Sequence, residues 1–262
     1  MIGFIGGGNM AEALIKGMKA HGMKDILVSE PIGVRRKYIE DTYGVTTTTS
    51  NRTVVSSCSS IVLAVKPQQI DSVLDEISDL VDDEKTVVSI AAGITLNYLQ
   101  LKLKTKRLVR AMPNTPAMVQ EGMTVMSLCE CFTNRDLAIV REMFMAVGKV
   151  LILPEHYMDA VTALSGSGPA FFALFVEAME EAGIAMGLTD NNASELAVQT
   201  LIGTARFLED GIPPSKLREM VTSPGGTTAA GLMVFKEKNL NGIVTEALLA
   251  ARKRASELGR RI

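Results

Sequence analysis

The sequence predicts an α/β fold: an N-terminal Rossmann-type doubly wound sheet over residues 1–154, followed by an all-helical C-terminal domain over residues 155–262. Three observations predict it. Short apolar runs alternate with helical patterns through the first part of the chain, as a parallel sheet wrapped by helices requires. The first of these runs leads straight into the glycine turn Gly6-Gly7-Gly8. Beyond Pro154 the strand-like runs stop, and long helical stretches punctuated by glycine take over.

The strands expected in order are 2–5, 25–29, 60–65, 86–91 and 108–111, with 123–128 and 150–153 extending the sheet. Between them, 10–20, 34–43, 70–80 and 136–147 place apolar residues at helical spacing. In the C-terminal part the expected helices are 170–186, 193–208 and 245–258. The first carries Phe171, Phe172, Leu174, Phe175, Val176, Met179 and Ile184, and is apolar on nearly all sides. Such a helix should be largely buried, and a helical domain of this size needs a second chain to cover it.

Composition excludes several function classes. With 262 residues, 47% apolar and 21% charged, the chain reads as a soluble globular protein of one large or two modest domains. A net charge of −2 leaves no electrostatic footprint for nucleic acid or an anionic membrane. No uninterrupted apolar run approaches the roughly 20 residues of a spanning helix, and the opening Met-Ile-Gly-Phe-Ile is unlike a signal peptide. A cytoplasmic protein is the expectation. Cys58, Cys129 and Cys131 lack the paired spacing of a zinc site, and alternation would set the last two on one face of a strand. They are read as inert, reduced thiols. Only His21 and His156 could supply imidazole, so no metal site is expected.

Gly6-Gly7-Gly8-Asn9-Met10-Ala11 follows a strand and opens a helix, as a dinucleotide-binding turn must. Gly6 permits the tight turn, Gly8 admits a pyrophosphate to the backbone, and Ala11 allows close helix–strand packing. The end of the second strand reads Ser29-Glu30-Pro31, followed by Arg35 and Arg36. Glu30 favours NAD, whereas Ser29 and the arginines suit the 2′-phosphate of NADP, so NADH and NADPH both stay open. Asn51, in a polar loop after a run of threonines, is within reach of an adenosine ribose. Ala64-Val65-Lys66-Pro67 closes the third long strand at the edge where ligands of open α/β sheets bind. Lys66 by itself reads as a solvated side chain. Ile90-Ala91-Ala92 ends the next strand in residues that admit a flat nicotinamide ring.

Two segments in the helical half are unusual. Glycines in Ser165-Gly166-Ser167-Gly168-Pro169 serve either tight helix packing or a close ligand. Ser223-Pro224-Gly225-Gly226-Thr227-Thr228 offers backbone N–H groups, hydroxyls and a helix start, which together suit a carboxylate; Thr227 or Thr228 would also serve as a helix cap. None of these segments brings a histidine, a cysteine or a carboxylate pair. Hydride transfer to a protonated imine, which needs mainly proximity and orientation, fits such a site.

In this order, Gly3 to Met10, Ala64 to Pro67, Ala91 to Gly93, Met112-Pro113-Asn114-Thr115-Pro116, Leu164 to Ala170 and Ser223 to Thr228 resemble the pyrroline-5-carboxylate reductase family over essentially the whole chain. The resemblance implies reduction of 1-pyrroline-5-carboxylate to L-proline with NADPH or NADH, the last step of proline biosynthesis. It implies a homodimer through the C-terminal helices, and in several members a decamer of five dimers. By motif position, Gly6, Gly7, Gly8, Asn9, Met10, Ala11, Ser29, Glu30, Pro31, Asn51, Ala64, Val65, Lys66, Pro67, Ile90, Ala91 and Ala92 correspond to cofactor contacts. Ser223, Gly225, Gly226, Thr227 and Thr228 correspond to the substrate site, with Glu155 and Thr162 near the ring. Thr228 or Thr162 would orient the imine. Met220 stands where some members have an asparagine. A β-hydroxyacid dehydrogenase shares the plan but needs a catalytic lysine on the helix that here begins Pro169-Ala170-Phe171-Phe172, and none lies within two turns. A nucleotide sensor and an enzyme for another cyclic imine remain the other readings.

Overall fold

The computed structural model describes residues 1–129 and 134–259; Cys131, and with it the expected pairing of Cys129 and Cys131 on one strand face, lies outside the described residues. The sheet has eight strands: β1 (Ile2–Ile5), β2 (Ile26–Ser29), β3 (Thr46–Thr48), β4 (Ser60–Leu63), β5 (Thr86–Ser89), β6 (Leu108–Met112), β7 (Gly122–Leu128) and β8 (Gly148–Ile152). Their order is β3-β2-β1-β4-β5-β6-β7-β8, parallel throughout except between β6 and β7. The seven expected strands are all present, with ends moved by one or two residues. The eighth, β3, pairs only with β2, and it occupies the threonine run that the sequence alone reads as loop.

Six helices connect these strands: α1 (Asn9–Ala20), α2 (Gly33–Tyr43), α3 (Asn51–Ser57), α4 (Ile70–Ile77), α5 (Leu96–Lys102) and α6 (Asn134–Met145). Alternation along the strands splits the core in two. Phe4, Val28, Val62, Val88 and Val109 point to one face and pack with Leu14 and Met18 of α1 and Phe144 of α6. Ile5, Leu27, Ile61, Leu63 and Leu108 point to the other and meet Val54 of α3, Leu74 of α4 and Leu99 of α5. A parallel sheet covered on both faces is the doubly wound arrangement. Cys58 is buried in the second layer, and burial pushes its thiol pKa up, as suits an inert cysteine.

The chain divides into two compact units. One is residues 1–167 together with the end of the chain from residue 251; the other is residues 168–250. The division falls beyond Pro154 because the segment after it packs on the sheet unit. A 3₁₀ turn (Glu155–Tyr157), α7 (Met158–Val161) and a π-helical turn (Thr162–Gly166) follow β8, and Met158 and Val161 are buried with Val125 of β7.

The second unit holds α8 (Gly168–Ala185), α9 (Asp190–Glu209), α10 (Pro214–Met220), α11 (Thr227–Glu237) and the first half of α12 (Leu240–Gly259). Its only buried residues on these helices are small: Gly168, Gly183, Ala193 and Ala197. Within the single chain the first of these helices is largely exposed, so its burial is left to the second chain that its apolar surface calls for. Phe172 and Leu174 are each 64% exposed, and Phe171, Phe175, Met179 and Ile184 are exposed as well. An apolar helix has no partner thick enough inside this unit to cover all its sides. The helical stretch Glu155–Ala185 is also long and apolar enough on average to cross a membrane, with 17% of its most apolar window buried.

One polar network joins α1 to α2. Glu12 accepts hydrogen bonds from Arg35 Nη2 (2.5 Å), Tyr43 Oη (2.7 Å) and Tyr38 Oη (3.0 Å), and Arg35 Nε donates to the Gly7 carbonyl (2.6 Å). Burial alone would raise the Glu12 pKa, but the three donors outweigh it and hold the carboxyl below its ordinary value. A carboxyl depressed in the folded state stabilises the fold above its unfolded pKa, and that contribution disappears as pH falls through the folded pKa. Glu12→Gln should therefore lower stability by about 1–3 kcal/mol at neutral pH. The gap between variant and parent in denaturant unfolding should close at acid pH; a pH-independent gap would show that the charge is not the source.

Candidate active site

The sequence-predicted cofactor residues lie at the carboxyl edge of the parallel strands, on the turns that follow, or in the first turn of the helices α1 and α3. The order β2-β1-β4-β5 reverses chain direction across the sheet between β1 and β4, where a crevice opens in folds of this kind. Backbone bonds stitch this edge: Gly6 N–H donates to Ser29 O (2.9 Å), Ala64 N–H to Ile5 O (2.8 Å) and Ile90 N–H to Leu63 O (3.2 Å). Gly6, Ser29, Ala64 and Ile90 are thereby brought to one rim.

The turn has the shape a pyrophosphate requires. Gly6 adopts φ +98°, and a Cβ there would sit 2.7 Å from the Ala64 carbonyl oxygen. Gly8 precedes α1 as its cap residue with no side-chain cap, and a Cβ on it would meet nothing within 4 Å. The first N–H groups of a twelve-residue helix thus open onto space, with the favourable end of the helix dipole behind them. Asn9 and Met10 form the first turn of α1, and Ala11 is buried against the sheet. The residues present fit a dinucleotide.

Ser29 and Asn51 are brought into direct contact. Ser29 Oγ donates to Asn51 Oδ1 (2.7 Å), and Asn51 Nδ2 donates to Glu76 (2.8 Å). Asn51 opens α3 rather than lying in a loop, because Ser50 caps that helix by accepting from Thr53 N–H (3.1 Å). Glu30 is buried, and Pro31 is exposed beside it. Val65 is half-buried, Lys66 is exposed, and Pro67 begins a 3₁₀ turn in which Gln69 N–H donates to the Lys66 carbonyl (2.9 Å). Ala91 and Ala92 follow β5, with Ala91 N–H held by Ser89 Oγ (3.3 Å).

Of the residues carried over by motif position, Glu155 and Thr162 lie in the sheet unit. Glu155 Oε1 accepts from Leu96 N–H (2.7 Å) and from Arg110 Nη1 (3.1 Å). Arg110 is 6% exposed within β6 and also faces Asp159 at 3.8 Å. Glu155 is thus a brace between β6, α5 and the segment after β8. Arg110 was not foreseen, since a single arginine inside an apolar strand gives no motif. Thr162 Oγ1 donates to the Met158 carbonyl (2.8 Å), which leaves its oxygen free to accept. It opens the π-helical turn, a rare element that recurs at functional sites. Asn114, from the Met-Pro-Asn-Thr-Pro motif, pins this turn by donating to Ser165 O (3.1 Å) while accepting from Met123 N–H (2.8 Å). Gly166 serves packing, as a Cβ there would meet Met112 Cε at 2.9 Å.

Ser223, Gly225, Gly226, Thr227 and Thr228 lie together in the helical unit. Gly225 takes φ +71°, Gly226 N–H donates to Ser223 O (3.0 Å), and α11 begins at Thr227. The expected threonine cap is corrected: Gly226 is the cap residue, in extended conformation and with no side-chain cap bond. A Cβ at Gly226 would come within 2.4 Å of Ser223 Oγ, so the serine hydroxyl occupies the place a side chain would take. The uncapped N–H groups of an eleven-residue helix, flanked by hydroxyls, suit a small anion.

Gly6→Ala should weaken binding of a reduced nicotinamide dinucleotide by at least about tenfold, roughly 1.4 kcal/mol. Titration calorimetry reads this directly, and unchanged affinity in a folded variant would detach the turn from the cofactor.

Comparison with known proteins shows what the chain is similar to. A family model described as pyrroline-5-carboxylate reductase dimerisation matches residues 155–258, and one described as NADP oxidoreductase, coenzyme F420-dependent, matches residues 1–93. A pyrroline-5-carboxylate reductase of Synechocystis is 40% identical over 264 residues, covering 99% of this chain and 98% of its own. The structure of a pyrroline-5-carboxylate reductase from Coxiella burnetii matches with a TM-score of 0.92 at 38% identity, over 98% of this chain and 97% of the other. A Plasmodium falciparum pyrroline carboxylate reductase, solved with NADP bound, matches with a TM-score of 0.89 at 29% identity, over 98% and 97%. The chain belongs to the pyrroline-5-carboxylate reductase family.

Proposed function

We propose that the protein reduces 1-pyrroline-5-carboxylate to L-proline, using NADH or NADPH. The observation that carries this reading is the presence in one chain of an open, uncapped glycine turn at the sheet edge and a second uncapped helix start flanked by hydroxyls, in a chain similar over its full length to reductases of that name.

Each group has a defined task. The N–H groups at the start of α1 hold the pyrophosphate, and the small residues Ala91 and Ala92 leave room for a flat ring. The bound nicotinamide supplies a hydride. The N–H groups at the start of α11, with Ser223 and Thr227, bind the substrate carboxylate. The ring nitrogen takes one proton from water, the hydride adds to the ring carbon doubly bonded to that nitrogen, and the C=N double bond becomes a single bond. Thr228 or Thr162 orients the imine; the proton of Thr162 is committed to Met158 O, which leaves its oxygen as an acceptor for the N–H of the protonated imine. No strong base is required, because the imine is protonated before the reaction.

The exposed apolar side chains of the helical unit are covered by a second copy of the chain rather than by lipid. That unit buries little beyond glycine and alanine by itself, so an independent fold would leave it with almost no core. Further assembly into a decamer of five dimers belongs to the same proposal and rests on the resemblance, and residence in the cytoplasm belongs to it as the default reading.

Loss of reduced-nicotinamide absorbance on adding freshly prepared 1-pyrroline-5-carboxylate should demonstrate the reaction; folded protein with no turnover would overturn it. Thr228→Ala should lower kcat/KM on the order of 100-fold, as removal of one oriented hydrogen bond at a reacting centre does. Unchanged kcat/KM would remove the hydroxyl from the mechanism. Phe172→Glu should convert a dimer into monomer or unfolded protein, read by light scattering after size exclusion. A parent protein that is itself monomeric and folded would refute the covering partner.

A further inference from the structure

Glu30 closes the second strand with its side chain turned inward. It is 6% exposed, and its two carboxylate oxygens accept from backbone N–H groups on either side: Oε2 from Gly7 (2.9 Å) and Oε1 from Ile32 (2.9 Å). A Cβ on Gly7 would stand 3.1 Å from Oε2, so the carboxylate lies directly against the glycine turn. Its position is fixed by its own bonds before any ligand arrives. In folds of this kind an acidic residue at this strand end accepts from the 2′-hydroxyl of the adenosine ribose, and a 2′-phosphate instead requires a cation.

Two cations stand nearby, and both are engaged. Arg35 turns toward the underside of the turn, where Nε donates to Gly7 O (2.6 Å), Nη2 donates to Glu12 (2.5 Å), and the guanidinium lies 5.3 Å from the Tyr38 ring centroid. Arg36 Nη1 donates to the carbonyls of Glu30 (2.9 Å) and Pro31 (3.4 Å). The small hydroxyl that would suit a phosphate, Ser29, is buried and donates its proton to Asn51 (2.7 Å).

We infer that this protein binds NADH in preference to NADPH, and that Glu30 is the residue that sets the preference. A 2′-phosphate brought to this rim meets a fixed carboxylate, and like charges in close juxtaposition are strongly disfavoured. A 2′-hydroxyl meets an acceptor already in place. The inference rests on the cofactor reading of the turn proposed above and deepens it.

The test is binding, measured without any imine, so that it stands apart from the reaction. Calorimetric titration of the full-length protein should give NADH the lower Kd by at least about tenfold. The same order should hold between AMP and adenosine 2′,5′-bisphosphate, fragments that differ only at the 2′ position. Equal or tighter binding of NADPH, or of the bisphosphate, overturns the preference. Glu30→Gln, checked by its melting transition, should narrow the NADH-to-NADPH ratio by about tenfold. A folded variant with an unchanged ratio overturns the assignment to Glu30. Should that variant fail to fold, the fragment pair still decides the preference, because its sole difference lies at the 2′ position, and Glu30→Asp titrated with the same pair decides the residue, an unchanged ratio overturning the assignment. Protein that binds NADH tightly yet turns over no pyrroline-5-carboxylate would refute the reaction and leave this inference standing.

Discussion

The close approach of Gly6 to the Ala64 carbonyl is the constraint from which the cofactor rim follows. With φ at +98° and no Cβ, the backbone leaves β1 and enters α1 across the end of β4 within a few residues. That approach aims the start of α1 at the crevice, and the strand registers then fix the rest. Ile5 lies opposite both Ser29 and Leu63, so the residues just beyond those two strands arrive at the same level. Ser89 lies opposite Leu63, and this sets Ile90 and Ala91 on the same rim. The Glu30 carboxylate closes the arrangement by bonding back to Gly7 N–H. A side chain at position 6 would strain the turn and every one of these placements together.

The helical unit poses the opposite problem. Its helices meet through small residues, as where a Cβ at Gly183 would contact Ala193 Cβ at 3.1 Å, and through a few rings such as Phe175 and Phe235, 6.1 Å apart. Close backbone packing of this kind leaves the large side chains pointing outward. An apolar surface of that extent marks an interface. A unit covered in this way by a second copy couples its folding to association, and its stability would then depend on protein concentration.

The legible parts of the fold were those in which local pattern and tertiary environment agree. β1, β2, β4, β5 and β6 are four- or five-residue apolar runs buried on both faces, so hydrophobicity marks them without ambiguity. β3 escaped because Thr46–Thr48 sits at the sheet edge, half-exposed, and carries no apolar run. The short helices α3 and α5 escaped because one or two turns give too little periodicity to read. The glycine turn was legible because each glycine has a geometric necessity. The brace between Arg110 and Glu155 was not, since residues 45 apart in sequence pair only once the sheet is built. The outward face of α8 was legible as a surface to be covered, because a helix apolar on nearly all sides in a small helical unit calls for a second chain.

The chemistry proposed for the site explains why it carries so few ionisable groups. Reduction of a carbonyl needs a proton delivered to oxygen as the hydride arrives, and hence an acid of matched pKa. A protonated imine brings its proton with it. The protein then needs an acceptor for that N–H, an anchor for the carboxylate and exclusion of competing geometries. A threonine whose hydroxyl proton is already donated to a helix carbonyl is such an acceptor, and its orientation is set by Met158 O rather than by a titrating group. The π-helical turn that begins at Thr162, held at Ser165 by Asn114, fixes where that oxygen points. Hydroxyls and backbone N–H groups do not titrate near neutrality, so the pH dependence of the reaction should follow the imine rather than the protein.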